Sequence, residues 1–125
     1  MNRVFVRRLV TAPLVAFSIS NDGAATVLQH VAADSSSWVG LYRIIEAVEA
    51  EMGGRDPLVK AGWVSRDELR RFKHTANSPV ASGALSRHGR ESSAPPKLPM
   101  LLADADPLVA GIVMSWLEAR CGNAI

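Results

Sequence analysis

The chain of 125 residues has a single cysteine, Cys121, and only 6% of its residues are aromatic. One thiol excludes an internal disulfide and any metal site built from several cysteines. The sequence also lacks a long hydrophobic run. Arg7 and Arg8 interrupt the first apolar stretch, and no other stretch approaches the roughly twenty apolar residues that a membrane span needs. We therefore expect a protein with no membrane contact.

The first twenty residues share some features with a secretory signal peptide. The basic pair Arg7-Arg8 precedes an apolar stretch at residues 9–19. Pro13 lies inside that stretch, however, and no cleavage site made of small residues follows at the right distance. We therefore expect a cytoplasmic protein.

Length and composition are those of one ordinary globular domain, with 48% hydrophobic and 21% charged residues. The net charge of +2 is unevenly distributed. Residues 1–20 carry +3, residues 21–59 carry −4, residues 60–100 carry +5 and the remainder carries −2. A basic middle region can attract a polyanion, but it can equally be a solvated surface beside an acidic neighbour.

Helical periodicity is the main structural signal. Asn21 or Asp22 can cap a short helix that ends near residue 31. Apolar side chains then recur at steps of three and four over Trp38–Met52, which predicts a helix with one buried stripe. The serines at 35–37 supply N-cap candidates, and the glycines at 53–54 allow the left-handed turn that ends a helix.

A capping box begins the next helix, in which Ser65 and Glu68 satisfy each other's backbone amides. We expect this helix to end near Ala76, because the residue before Pro79 avoids the helical region. Residues 53–64 are predicted as a connection, since Pro57 cannot occupy a helix interior.

The C-terminal third is predicted to contain one long helix. Residues 80–88 can form one or two helical turns, and the proline-rich residues 90–99 form an extended arm that straps across the bundle. The last helix runs from residue 102 or 106 to residue 120, with Asp106 as a cap candidate because Pro107 suits a first helical turn. The fold class is therefore mainly α: a compact bundle of four to five helices over residues 17–122, after a short extended or β N-terminal arm at residues 1–16.

An ordered series of short motifs runs through most of the chain. Its members are Trp38-Val39-Gly40-Leu41-Tyr42 before Glu46, Gly62-Trp63, Phe72 with Thr75-Ala76-Asn77-Ser78-Pro79, Ser82-Gly83, Arg87-His88-Gly89, Pro95-Pro96 with Pro99-Met100, and Trp116. Over residues 17–120 this series resembles a family of small uncharacterised bacterial proteins. The resemblance implies a compact helical unit in bacteria and brings no activity with it. The chain departs from the family pattern at Leu101 and Pro107.

Polar residues that suit a site follow the capping-box helix. An imidazole can act as acid or base near neutral pH, and Arg87 could hold a phosphate or carboxylate while His88 moves a proton. A carboxylate such as Glu46 commonly orients an imidazole. The candidate binding residues are Glu46, His74, Asn77, Arg87 and His88. The alternative is that Arg87 and His88 form an internal polar clasp.

Three bases of the capping-box helix, Arg66, Arg70 and Lys73, are spaced to share one face and are candidate phosphate contacts. No metal site or cofactor is expected, because the histidines and the cysteine show no ligand spacing. We therefore predict a non-enzymatic binding or interaction module that recognises an anionic partner, either nucleic acid or an acidic protein. The alternative is a ribonuclease of the HEPN kind, or another phosphodiester enzyme, using Arg87 and His88. That alternative rests on fold-level analogy, because the usual spacing of arginine and histidine is absent.

Overall fold

The computed structural model describes residues 21–78 and 96–121, and these two ranges contain five helices. They are α1 (Asp22–Ala33), α2 (Trp38–Met52), α3 (Arg55–Lys60), α4 (Arg66–Ala76) and α5 (Leu102–Cys121). The described residues include no β-strand. The prediction of a mainly α fold is confirmed. The predicted arm at residues 1–16 and the predicted turns at 80–88 lie outside the described ranges.

The central element is α2, which packs against each of the other four helices. Gly23, near the start of α1, lies against the Glu51 side chain near the end of α2, so these two helices run in opposite directions. Arg120, near the end of α5, reaches the same carboxylate with its Nη2 atom 3.1 Å from Oε1. This exposed contact therefore marks the end of the bundle where α1 begins and where α2 and α5 finish.

One hydrophobic cluster runs through all five helices. Nine of its larger, fully buried members are Trp116, Phe72, Leu41, Ile44, Ile45, Leu58, Leu69, Ile112 and Leu117. Each such side chain contributes about 1.5–3 kcal/mol relative to an exposed one. Trp38 and Tyr42 both pack against Phe72, with ring centroids 5.9 and 6.2 Å apart. The aromatic contacts thus join one face of α2 to α4.

Side-chain caps set the starts of three helices. The side chains of Asn21 and Ser37 accept hydrogen bonds from the first turns of α1 and α2. At α4 the predicted capping box is complete, because Ser65 Oγ accepts from the Glu68 amide and Glu68 accepts from the Ser65 amide. Gly53 ends α2 with a φ of 92°, a left-handed conformation that glycine adopts without steric cost. These boundaries agree with the sequence predictions.

The prediction of a non-helical connection at residues 53–64 is wrong, because α3 occupies the middle of this segment. Pro57 is the third residue of this helix. A proline in the first turn lacks only an N–H that would have no helical partner there, so its ring is compatible with a short helix. Burial of Leu58 against the core then holds the turn in place.

The last helix begins at Leu102, so a start at Asp106 is excluded and Pro107 lies inside α5. The Leu101 carbonyl accepts hydrogen bonds from the amides of Asp104 and Ala105, at 3.0 and 2.9 Å. Met100 and Ala105 are both buried. Tertiary packing of these two residues therefore fixes the first turn, although Leu101 supplies no polar cap and Pro107 removes a later amide donor.

In the part of the chain that the structure describes, no helix combines the length and the apolar character needed to cross a bilayer.

Candidate functional site

Only three of the five predicted binding residues lie in the described ranges. Arg87 and His88 lie outside the described residues. Glu46 is exposed on α2, His74 is exposed near the end of α4, and Asn77 is the C-cap of α4. Among the described residues the Asn77 Oδ1 atom is buried and has no hydrogen-bond partner. The prediction that these five residues form one site therefore stays a prediction.

A partly buried ion pair lies where α2 faces α4. Lys73 Nζ is 2.5 Å from Glu49 Oε1, and the two side chains are only 22% and 12% exposed. The same ammonium group lies 5.9 Å from the centroid of the Tyr42 ring, within range of a cation–π interaction. Because its charge is already matched by a carboxylate and an aromatic face, Lys73 is poorly placed to contact an external phosphate.

Two shallow clefts meet at Gly54 and Lys73. One, of about 290 Å³, continues along the start of α3 past Arg55 and Asp56. The other, of about 280 Å³, is lined by Tyr42, Glu46, Glu49, Ala50, Gly54 and Lys73. The second cleft brings together two predicted residues, Glu46 and Lys73.

Arg66 and Arg70 make ion pairs that are open to solvent. Arg66 Nη1 is 2.9 Å from Asp56 Oδ1, and the two side chains are 54% and 73% exposed. Arg70 Nη2 is 2.9 Å from Asp67 Oδ1 in a pair that is exposed still further. Exposed pairs contribute only about 0–1 kcal/mol each, so an external anion can replace either carboxylate at little cost.

Arg71 holds the proline-rich segment against α4. Its Nε atom donates to the Leu98 carbonyl at 2.6 Å, and its Nη2 atom donates to the Pro99 carbonyl at 3.1 Å. One turn later the Thr75 hydroxyl accepts a buried hydrogen bond from the Met100 amide at 2.9 Å. We call residues 96–101 the strap. The described part of the predicted strapping arm therefore lies along one edge of α4.

Arg71 is not among the candidate phosphate contacts Arg66, Arg70 and Lys73 that the sequence spacing indicates. Its spacing of four from Thr75 puts both side chains on one helix edge. The acceptors, however, lie 27 and 28 residues further along the chain. No local pattern identifies such distant carbonyls. Both acceptors are neutral, so the full positive charge of Arg71 remains at the surface.

Leu98 and Leu101 flank the anchored part of the strap and are 74% and 66% exposed. Between them Met100 is buried, so the strap turns one apolar side chain inward and two outward. We use the name α4–strap surface for Arg66, Arg70, Arg71, Leu98 and Leu101.

The described residues contain no group of three or more histidine, cysteine or acidic side chains placed to hold a metal ion. Burial raises the pKa of the Cys121 thiol, which lowers the fraction of reactive thiolate.

The chain matches none of the protein-family models, curated proteins and solved structures with which it was compared. The resemblance to a family of small bacterial proteins remains a prediction from the motifs.

Proposed function

We propose that the protein is a non-enzymatic binding module that recognises an anionic partner through the exposed bases of α4. The observation that carries this proposal is the set of contacts that the guanidinium groups of α4 make. Arg66 and Arg70 pair only with exposed carboxylates among their named contacts, and Arg71 binds neutral carbonyl oxygens. All three side chains are exposed on one short helix whose opposite side is buried in the core.

Lys73 is left out of this surface, because its half-buried pair with Glu49 joins α4 to α2. Removing a surface base weakens attraction to an anion, whereas removing Lys73 leaves a carboxylate without its partner. The proposal therefore separates two roles among the three predicted phosphate contacts: Arg66 and Arg70 serve binding, and Lys73 serves stability.

The test is a titration of the protein with single-stranded RNA, duplex DNA and acidic peptides, followed by fluorescence anisotropy at several salt concentrations. Arg66→Gln and Arg70→Gln should each weaken binding. With single-stranded nucleic acid each should also reduce the slope of log K against log salt by about 0.7. Arg43→Gln is the matched control. This substitution removes the same charge, but Arg43 is exposed on α2 near Asp34 and not on α4.

If Arg66→Gln, Arg70→Gln and Arg43→Gln lost the same amount of affinity, only the net charge would matter and α4 would not be the binding face. The absence of salt-sensitive binding to every probe would remove the proposed function altogether.

A further inference from the structure

The most exposed large apolar side chains in the described ranges lie beside the exposed bases of α4. Leu98 and Leu101 are more than half exposed, and these are the large hydrophobic residues that the fold leaves most open. Isolated surface leucines are common and need no explanation. Here, however, two of them flank a segment that is fixed to α4 by three hydrogen bonds.

The rigidity of the strap gives these leucines a defined position. Arg71 holds the carbonyls of Leu98 and Pro99, and the buried Met100 amide is bound to Thr75. The backbone around Leu98 is therefore ordered before any partner arrives. A preordered surface binds more tightly because less conformational entropy is lost on association.

Two positive charges belong to the strap and to the edge of α4 that holds it. Arg71 donates to the neutral carbonyls of Leu98 and Pro99, and Lys97 is exposed within the strap itself. Arg70, one residue before Arg71 on α4, is paired with the exposed carboxylate of Asp67. A bound segment that covers the leucines and extends toward α4 therefore meets Arg71 and Lys97 first, and then arginines whose carboxylate partners are exposed and replaceable.

We infer that the anionic partner is an acidic protein segment with apolar side chains, which binds across the α4–strap surface with its carboxylates on the arginines and its apolar groups on Leu98 and Leu101. This inference rests on the proposed function and specifies the partner. Nucleic acid fits less well, because single-stranded binding surfaces present aromatic rings to the bases. The α4–strap surface presents aliphatic side chains instead.

Two labelled peptides of equal negative charge test the inference, one containing a pair of leucines and the other containing serines at those positions. The wild-type protein should bind the leucine peptide about tenfold more tightly, since burial of two partly exposed leucines against apolar groups is worth at least one decade in affinity. Single-stranded RNA of comparable charge serves as the third probe and should bind more weakly than the leucine peptide.

Two double variants separate the contributions. L98S/L101S should abolish the preference for the leucine peptide while leaving affinity for the serine peptide unchanged. R66Q/R70Q should lower the affinity for both peptides by the same factor, because it removes charge and leaves Leu98 and Leu101 in place. All four substitutions are at exposed positions, and circular dichroism of each variant checks that the fold is retained.

The outcomes distinguish this inference from the function on which it rests. If the wild type bound the two peptides equally and R66Q/R70Q lost affinity for both, the proposal of an anionic partner would stand. The inferred apolar contact with Leu98 and Leu101 would be overturned. Tighter binding of RNA than of the leucine peptide would overturn the protein partner in favour of nucleic acid. No binding of any probe would remove both proposals.

Discussion

Two glycines in the described helices differ in the space around them, one being tightly packed and the other open. This difference gives a matched test at the residue scale. A Cβ atom on Gly40 would overlap the Asp34 carbonyl oxygen, which is backbone and cannot move away alone. A Cβ atom on Gly111 would meet open space in the interior of α5. The first glycine is required by the close approach of α2 to the turn before it, and the second is not.

We expect Gly40→Ala to lower the free energy of unfolding by about 1–3 kcal/mol, because the overlap forces the backbone apart. Gly111→Ala should raise it by about 0.5–1 kcal/mol, since alanine loses less conformational entropy in a helix. Urea denaturation of the two variants measures both values. Similar stabilities for the two variants would contradict the close packing at Gly40.

Asp34 predicts a dependence of stability on pH. Hydrogen bonds from the Ser37 hydroxyl and from the amides of Ser36 and Ser37, together with the nearby Arg43, hold the pKa of this carboxyl below its ordinary value. A lowered pKa in the folded state stabilises the protein above the ordinary aspartate value and loses that effect as the pH falls through the folded value.

The urea midpoint of the wild type should therefore exceed that of Asp34→Asn at neutral pH. The difference between the two midpoints should become smaller below about pH 4. A gap that stayed constant into strong acid would show that the charge of Asp34 contributes nothing.

Lys73 and Arg70 provide a third residue-scale comparison. Lys73→Gln should lower the free energy of unfolding by about 1–2 kcal/mol, because Glu49 is left half-buried without its cation. Arg70→Gln should change it by less than about 0.5 kcal/mol, because the pair with Asp67 is exposed. Thermal melts compare the two, and equal losses would contradict the separation of structural and binding bases.

At the scale of the element, the hydrogen bond between Thr75 and Met100 is expected to hold the strap. Thr75→Val keeps the shape of the side chain but leaves the buried Met100 amide unpaired, at a cost of about 1–3 kcal/mol. Thr75→Ser retains the hydroxyl and is the matched control. Amide exchange at Met100 should accelerate in the valine variant only. Unchanged protection there would mean that the strap is held by other contacts.

Local signals in the sequence predict some helices well and others poorly. The capping box at Ser65 and Glu68 and the apolar stripe of α2 involve residues close in the chain, so their boundaries are correct. The short α3 was missed because Pro57 disfavours helix everywhere except in a first turn. The sequence leaves the start of α5 open between residues 102 and 106, because the burial of Met100 and Ala105, which favours residue 102, is a tertiary effect.

The candidate site is predictable to a similar extent. Spacing alone places Arg66, Arg70 and Lys73 on one side of α4. It does not reveal that Glu49, on another helix, takes up the charge of Lys73. The anchoring of the strap by Arg71 joins residues 27 positions apart, and only the packed structure shows it.

At the scale of the whole molecule, α4 carries four bases, Arg66, Arg70, Arg71 and Lys73, against the two acids Asp67 and Glu68. The described ranges contain nine of the fourteen Lys and Arg residues and eleven of the twelve acids, so this part of the protein is slightly acidic. Long-range attraction of a polyanion to these ranges is therefore weak, and recognition depends on the particular groups of the α4–strap surface. Binding should accordingly map to a small area.

Backbone amide chemical shifts recorded while the leucine-containing acidic peptide is added to isotope-labelled protein test this most directly. We expect concentration-dependent shifts clustered at residues 66–75 and 97–102, with the exposed positions Thr26 and Gln29 of α1 unaffected. Shifts centred on α1, or spread evenly over all five helices, would contradict the claim that the bases of α4 and the leucines of the strap form the binding surface.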